Sequence, residues 1–162
     1  MFPRNVTILS TERFIEGGKS SASFENFNLA LHVNDRPENV LANRSILRNH
    51  YDLPSEPVWV NQTHSSICIN ASLNGSLVEA DASFTSKPGV VCGILTADCL
   101  PVFISKKDGA MVGIAHAGWK GLVSGVIEGL IQSFDCNGNN LHVHLGPAIS
   151  MNSLEVGEEI KS

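Results

Sequence analysis

Short apolar runs rich in branched and aromatic residues follow one another through the middle of the chain and predict strands. The runs are PVWVNQTH, ICINAS, ASFTS, VVCGILTAD, LPVFISKK, AMVGIAHAG and, later, LHVHLGPAI. Polar or turn-forming residues bound most of them, as is typical of strands rather than of helices. Only two segments have helical periodicity, so the pattern favours an α+β fold with a mixed sheet.

The first predicted helix lies within residues 35–53, DRPENVLANRSILRNHYDL. Asp35 is a candidate cap, a proline follows near the opening, and Glu38 stands three residues after the aspartate. An apolar stripe at helical spacing comprises Val40, Leu47 and Tyr51, and Arg44 lies on it. A buried arginine needs an anion, unless its aliphatic stem lies on the core and its head reaches water. Spacing leaves both interpretations open.

The second predicted helix is 119–134, WKGLVSGVIEGLIQSF. Its apolar residues step by three and one, which predicts a single core-facing helix; they are Trp119, Leu122, Val123, Val126, Ile127, Leu130, Ile131 and Phe134. Gly121, Gly125 and Gly129 recur at every fourth position and leave one face nearly flat. Each glycine costs about 1 kcal/mol relative to alanine in a helix, so we expect close packing of that face against a sheet or a substrate.

Composition narrows the class of protein. The 162 residues are 43% hydrophobic and 17% charged, which indicates one globular domain over 1–162. The net charge of -5 without a basic run argues against a nucleic-acid partner. The longest apolar runs, VVCGIL and LPVFI, are too short to span a membrane, and the start has no secretory apolar core. We therefore expect a soluble, cytoplasmic protein.

The expected cytoplasmic location limits the roles that the cysteines can have. The four cysteines have no CxxC spacing, and we expect no disulfide framework in a reducing cytoplasm. Each is therefore a buried thiol, a metal ligand or a nucleophile.

Three of the apolar runs are followed or closed by a residue that can bind a metal: His64, Cys99 and His116. Two imidazoles and a thiolate suit zinc, and three protein ligands leave a position for water or substrate, as in catalytic sites. Copper accepts the same ligands. A lone histidine at a strand end is more often a structural residue, so spacing leaves that explanation open for both histidines.

Neighbouring residues add candidate chemistry. Asp98 precedes the cysteine as a possible orienting group or general base. The helix opening near Gly118 offers backbone amides to an anion, and Lys120 adds a donor. Asp98 as a turn cap and Lys120 as a solvated side chain stay open. His142 and His144 share one face of a strand, a second candidate metal pair.

The sequence resembles the laccase-domain proteins of the YfiH type, known as multicopper polyphenol oxidoreductases and associated with purine nucleoside metabolism. The resemblance rests on five segments in order: EGGKSSASFENFNLALHVNDRPENVLANR, VNQTH, EADASFTSKPGVVCGILTADCLPV, IAHAGWKGLVSGVI and LGPAISMNSLEVGEEI. TADCLPV and HAGWKG together are highly specific. The resemblance covers nearly the whole chain.

The resemblance implies that His64, Cys99 and His116 bind a catalytic zinc. It also implies a set of pocket residues, which are Asn28, Asn43, Arg44, Gln62, Asp98 and Lys120. Lys120 stands where the family usually has arginine, so the two-pronged grip of a guanidinium on phosphate is missing there.

The family fold is similar to the deamidase domain of cytotoxic necrotizing factor, with four layers (α/β/β/α). The family domain ordinarily continues past EVGEEI into further strands. We therefore expect this chain to lack the C-terminal part of the domain.

Four functions follow as hypotheses. The resemblance implies zinc-dependent phosphorolysis of adenosine, inosine and methylthioadenosine, and deamination of adenosine, with nucleoside and phosphate as small-molecule partners. Copper-dependent oxidation of phenols is the second, although six histidines are too few for a multicopper oxidase. The third is a hydrolase or amidase with Cys99 as nucleophile and His116 as base, such as one that edits cell-wall precursors. The fourth is a zinc-stabilised scaffold without activity.

Overall fold

The computed structural model of the chain describes residues 2–72, 77–155 and 157. It contains two sheets and few helices, which confirms the mixed α+β class. The strands are β1 (Val58–Trp59), β2 (Cys68–Asn70), β3 (Ala82–Thr85), β4 (Cys92–Gly93), β5 (Leu100–Lys106), β6 (Val112–Ala117) and β7 (Leu141–Leu145). The α-helices are α1 (Pro37–His50), α2 (Trp119–Val123) and α3 (Val126–Ser133). Each of the seven predicted apolar runs contains one of these strands.

The larger sheet has the strand order β2-β3-β6-β5-β7. Strands β2 and β3 are parallel, and the other neighbours are antiparallel. Strands β1 and β4 form a separate parallel pair. Because β5 and β6 are antiparallel, with Leu100 opposite Ala117, the start of β5 lies beside the end of β6. This pairing brings the regions of Cys99 and His116 together.

Helix α3 covers one face of the larger sheet. Its residues Val126 and Leu130 are fully buried, as is Phe134, which directly follows the helix. The sheet side of this core comprises Ala82, Val102, Ile104, Ala115 and Ala117. Burial of a large apolar side chain contributes about 1.5–3 kcal/mol, so this contact stabilises the packing of α3 on the sheet.

A second apolar cluster joins α1 to the N-terminal loops and to β1. Its buried members are Phe27, Leu29, Leu47 and Trp59. The predicted stripe on α1 is partly confirmed, because Val40, Arg44 and Leu47 are buried while Tyr51 is half-buried at the helix end. Arg44 thus belongs to the core side of the helix.

The predicted cap of α1 is wrong. The capping residue is Arg36, and no side chain caps the helix. Asp35 accepts hydrogen bonds through Oδ2 from Ser20 Oγ at 2.6 Å and from Asn28 Nδ2 at 3.0 Å. Burial alone would raise the pKa of Asp35, but these two bonds and one from the backbone of Arg36 hold it below its usual value. The carboxylate ties two loops together instead of starting the helix.

The prediction of one helix over 119–134 is also wrong. The helix breaks at Gly125, which has φ of +86°, and α2 and α3 are separate. Trp119, Leu122 and Val123 are 38%, 43% and 83% exposed, so the apolar face of α2 is not in the core. A left-handed residue changes the direction of the chain, and the apolar periodicity does not reveal it.

The predicted close packing is confirmed for two of the three glycines, although they pack on a loop instead of a sheet or a substrate. A β-carbon on Gly121 would lie 3.3 Å from the carbonyl oxygen of Ser65, and one on Gly129 would lie 3.3 Å from that of Ser66. The helices therefore lie directly on the segment that follows His64. None of the helices in the described part of the chain has the length and apolar character needed to cross a membrane.

Candidate metal centre

His64, Cys99 and His116 come together at one end of the larger sheet. Their potential ligand atoms all lie within 4.8 Å of one another. Cys99 Sγ is 4.0 Å from His64 Nε2, and the centroids of the His64 and His116 rings are 4.9 Å apart. His116 lies within β6 opposite Pro101, and Cys99 immediately precedes β5. The sheet register places two of the three side chains, and a loop after β1 supplies the third.

His64 has a left-handed backbone conformation, with φ of +59°. This conformation costs a residue other than glycine roughly 1–2 kcal/mol, so surrounding contacts must hold it. The contacts are hydrogen bonds from the backbone N–H of Thr63 at 3.1 Å and of Ser65 at 2.6 Å, both to Asp81 Oδ2. The ring of His64 is consequently held at the exposed side of the site.

Asp81 is the important residue that the sequence analysis did not identify. It is fully buried and its Oδ1 lies 2.8 Å from His116 Nδ1. With Nδ1–H donating to this carboxylate, Nε2 of His116 is left as the atom for a metal, which is the usual arrangement around histidine ligands. The available signal was a carboxylate between two alanines, immediately before β3, in EADASFTS.

Electrostatics act in opposite directions on the Asp81 carboxyl and the Cys99 thiol. Burial would raise the pKa of Asp81, but hydrogen bonds from His116, Ser65 and Thr63 hold it below its usual value. Burial raises the pKa of the Cys99 thiol, and the negative charges of Asp98 and Asp81 raise it further. A nucleophilic cysteine needs the opposite environment, in which a positive neighbour favours the thiolate.

The donor set fits a metal ion. Bonds of about 2.0–2.3 Å in a tetrahedral zinc site separate neighbouring ligand atoms by roughly 3.3–3.6 Å. The atoms here are up to 4.8 Å apart, so movements of the exposed His64 ring and of Cys99 by about an ångström would bring them into range. Two imidazoles and a thiolate suit zinc or copper, and the geometry does not distinguish them.

The three ligands lie on the wall of a cleft of about 1750 Å³. Small-molecule sites commonly measure about 300–1,000 Å³, so the cleft is larger than a small molecule needs. Asn28, Gln62 and Asp98, all predicted as site residues, line the same cleft. Asp98 is exposed next to Cys99.

Gln62 and Asn28 are also engaged in the fold. Gln62 donates from Nε2 to the carbonyl of Leu95 and accepts at Oε1 from the Leu95 N–H, both at 2.7 Å. Asn28 accepts at Oδ1 from the N–H of Ala30 and donates to Asp35. Both amides therefore fix the backbone that forms the cleft.

Asn43 and Arg44 lie in the interior beneath the N-terminal loops. Asn43 is fully buried, accepts from the N–H of Lys19 at 2.8 Å and donates to Ser20 Oγ and the Asn28 carbonyl at 2.9 Å. The Arg44 guanidinium binds a backbone carbonyl, because its Nε and one terminal nitrogen both donate to Leu29 O. The structure thus gives both side chains the task of holding loops.

The other predicted contributors lie on or next to α2. Gly118 is buried, and a β-carbon there would lie 2.7 Å from His64 Cδ2 and 3.0 Å from Cys99 Sγ. Lys120 is exposed, with its Nζ 5.5 Å from the centre of the Trp119 ring. Gly118 therefore allows the helix to approach the ligands, and Lys120 presents a positive charge on the adjoining surface.

The second candidate pair, His142 and His144, is not brought to this site. Both rings lie beside Phe2, at centroid distances of 5.9 Å and 6.5 Å, and His144 also contacts Phe103. Over residues 2–72, 77–155 and 157, the group formed by His64, Cys99 and His116 is the one with three potential ligands in range. The HVH motif therefore has aromatic contacts and no third ligand.

Known proteins with this sequence pattern were identified by comparison. Residues 8–162 match the family described as multi-copper polyphenol oxidoreductase laccase. The chain is 39% identical over 158 residues to a purine nucleoside phosphorylase of Haemophilus influenzae, covering 98% of this chain and 64% of the relative. It is 40% identical over 162 residues to the Escherichia coli purine nucleoside phosphorylase YfiH, covering 98% and 65%.

Solved structures agree with this relationship. The Neisseria meningitidis protein NMB0706 superposes with a TM-score of 0.83 at 39% identity, covering 90% of this chain and 60% of that one. The Bacillus licheniformis protein YfiH gives 0.80 at 27% identity, with the same coverages. The chain spans about 64–65% of the length of these curated relatives. By sequence and by fold, the chain belongs to the YfiH-type family of multi-copper polyphenol oxidoreductase laccase proteins.

Proposed function

We propose that the protein is a zinc-dependent purine nucleoside phosphorylase. The observation that carries this proposal is the group of His64, Cys99 and His116 on the wall of a large cleft, where the described residues offer three potential protein ligands instead of four. An open position is the mark of a catalytic rather than a structural metal. The printed names of the relatives, purine nucleoside phosphorylases, give the reaction class.

The chain's own residues have separate tasks in this reaction. His64, Cys99 and His116 would hold the zinc ion, which would supply a Lewis acid at the cleft wall. The exposed carboxylate of Asp98, adjacent to Cys99, is placed to accept or return a proton. Lys120 gives an attractive charge for phosphate on the neighbouring surface. Asn28 and Gln62 shape the wall that receives the nucleoside.

The proposed substrates are adenosine, inosine and methylthioadenosine, each with inorganic phosphate. Phosphorolysis breaks the bond between the purine and C1 of the sugar and forms a sugar 1-phosphate. Deamination of adenosine is a further proposed activity of the same site. We also propose a cytoplasmic location and the four-layer arrangement of the family, similar to the deamidase domain of cytotoxic necrotizing factor.

The family description also names copper-dependent oxidation of phenols. Four-electron reduction of dioxygen needs several coppers with many imidazole ligands, and the chain has six histidines in all. Two of them, His142 and His144, contact aromatic rings and are not part of the group formed by His64, Cys99 and His116. A single two-histidine, one-cysteine centre suits phosphorolysis better than this oxidation.

Two other hypotheses fit the geometry less well. A Cys99 nucleophile is opposed by the raised pKa of its thiol, and a thiolate bound to zinc is not free to attack. A scaffold would be favoured by four protein ligands or by Arg44 in solvent. The described residues instead offer three ligands, and Arg44 is buried.

The test is chromatography of products after incubation of the zinc-loaded chain with adenosine, with and without phosphate. Phosphate-dependent adenine and ribose 1-phosphate would support phosphorolysis, and inosine without phosphate would support deamination. Cys99→Ala should abolish both turnover and bound zinc. Cys136→Ala is the matched control, since Cys136 lies in the α3 core and outside the ligand group. Full turnover by Cys99→Ala would refute the proposal.

A further inference from the structure

We propose that Asp81 is the positioning residue of the metal centre, because one buried carboxylate fixes the orientation of both histidine ligands before a metal binds. The inference rests on the metal site of the proposed function. It assigns a role to a side chain outside the three ligands, and it makes the centre depend on a residue that touches neither substrate nor metal.

Asp81 holds His116 at two points. The backbone N–H of His116 donates to the Asp81 carbonyl at 2.7 Å, and Nδ1 lies 2.8 Å from Oδ1. The next residues in each strand, Ala82 and Ala115, are paired in the sheet. The backbone is therefore fixed by strand pairing, and the carboxylate sets the remaining freedom, the rotation and tautomer of the ring. In the tautomer whose Nδ1–H donates to Oδ1, the other ring nitrogen of His116, Nε2, carries no proton.

The other oxygen of Asp81 holds the turn that carries His64. Oδ2 accepts from the N–H of Thr63, from the N–H of Ser65 and from Ser65 Oγ at 2.8 Å. These donors flank His64 on both sides. They keep it in the left-handed conformation that directs its ring towards Cys99 and His116.

The donor count requires a carboxylate rather than any polar side chain. Four donors converge on Asp81, and an ionised carboxylate has about four acceptor positions, whereas an amide has an acceptor at one end and donors at the other. An asparagine with its oxygen towards His116 would point its NH₂ group at the three donors of the turn. The reverse orientation would donate to His116 Nδ1 and force the proton onto Nε2, which then cannot bind a metal.

Asp81→Asn should therefore weaken zinc binding in either orientation. Loss of such outer partners typically costs about 10–100-fold in metal affinity, and we expect a loss in this range. Ser65→Ala removes one of the four donors and keeps the backbone, so its loss should be smaller. Glu79→Gln is the matched control, because Glu79 is exposed, lies two residues away and bonds only the hydroxyl of Thr63 at 3.3 Å among the described side chains.

The measurement is competition for zinc between each protein and a chelating indicator, together with the visible spectrum of the cobalt-substituted protein. Thermal unfolding of the metal-free variants shows whether each one is folded. A purely structural role of Asp81 would lower thermal stability and leave the zinc affinity of the folded fraction unchanged. The positioning role predicts weaker binding and an altered cobalt spectrum in a folded variant.

A second readout needs no metal and no variant. Nitrogen chemical shifts of the histidine rings in the metal-free protein report which ring nitrogen of His116 carries the proton. We expect Nδ1–H. A proton fixed on Nε2 would overturn the inference even if Asp81→Asn fails to fold.

The outcomes separate this inference from the proposed function. If the unaltered chain binds zinc and folded Asp81→Asn binds it equally well, the positioning role is refuted and the metal site survives. If the unaltered chain binds no zinc, the metal site is refuted and Asp81 has no ligand to position. If Asp81→Asn binds zinc more weakly and Glu79→Gln binds it as well as the unaltered chain, both the metal site and the positioning role are supported.

Discussion

Gly118 lies so close to His64 that a β-carbon at Gly118 would stand 2.7 Å from Cδ2 of the imidazole. The same carbon would lie 3.0 Å from Cys99 Sγ. A glycine is thus required where the chain leaves β6 and enters α2, although its φ of -68° suits any residue. The requirement comes from two candidate ligand side chains and not from the backbone.

Gly118→Ala should therefore displace ligands without unfolding the protein. Both neighbours are ends of side chains that can move, so we expect a stability change within about 1 kcal/mol. Zinc affinity should fall by roughly tenfold or more, because metal sites tolerate misplacement of only about 0.5 Å. Chelator competition and thermal unfolding measure the two effects. Gly138→Ala is the control, since nothing lies within 4 Å of its added carbon; equal zinc affinities would contradict the prediction.

Cys99 should react slowly with iodoacetamide in the metal-free protein. Burial and the charges of Asp98 and Asp81 raise the pKa of its thiol, so less thiolate is present near neutral pH than in a free cysteine. The pH midpoint of alkylation should lie above that of a small thiol. Asp98→Asn removes one of the negative charges and should lower this midpoint. Mass spectrometry of the Cys99 peptide gives the rate, and zinc should protect the residue.

Rapid alkylation of Cys99 near neutral pH, unaffected by zinc, would contradict this prediction and favour the cysteine hydrolase. An unchanged midpoint in Asp98→Asn would show that the carboxylate does not act on the thiol. Glu16→Gln, at an exposed carboxylate outside the ligand group, supplies the control for a general change in net charge.

The strands and the positions of the three candidate ligands could be predicted because their signals are local, whereas their action as one metal-binding set was implied by the family resemblance. Each apolar run reports burial of its own residues, and each ligand stands at or near a strand end. Asp81 was not predictable in the same way. Its partners His116 and Ser65 are 35 and 16 positions away, so its role exists only once the sheet is formed.

The break between α2 and α3 shows a different limit. Apolar periodicity continues through Gly125, and periodicity reports which face is apolar but not the sign of one dihedral angle. The apolar face of α2 was consequently expected in the core, whereas Val123 is largely exposed. Arg44 shows the same limit for polar groups, because spacing indicated its burial and could not reveal the carbonyl of Leu29 as its partner.

Gly125→Ala should destabilise the protein by about 1–2 kcal/mol, because a β-carbon is unfavourable in the left-handed region. The nearest atoms to such a carbon lie 3.7 Å away on Glu128, so crowding does not contribute. Gly125→Asn should lose less stability than Gly125→Ala, since asparagine tolerates the left-handed conformation better than alanine does. Urea unfolding measures both. Equal stability of Gly125→Ala and the unaltered chain would show that α2 and α3 can join into one helix.

Arg44→Ala should be strongly destabilising although the residue is charged. Its guanidinium donates to Leu29 O at 3.0 Å from Nε and at 2.9 Å from a terminal nitrogen. The same group lies over the ring of Trp59, 4.5 Å from its centre. Removal leaves a buried carbonyl without its donors, which costs about 1–3 kcal/mol, and also removes the stem from the core. We expect a loss of about 2–4 kcal/mol in urea unfolding.

Arg44→Lys distinguishes the contributions at this position. Lysine keeps the charge and most of the stem but cannot donate two parallel bonds to one carbonyl or stack as a plane. We expect it to recover less than half of the loss caused by alanine. Arg48→Ala, on the exposed side of the same helix, is the control and should change stability by less than about 0.5 kcal/mol. If Arg44→Ala is no worse than Arg48→Ala, the guanidinium does not hold the Leu29 loop, and a direct role of Arg44 in binding phosphate becomes the better explanation of its burial.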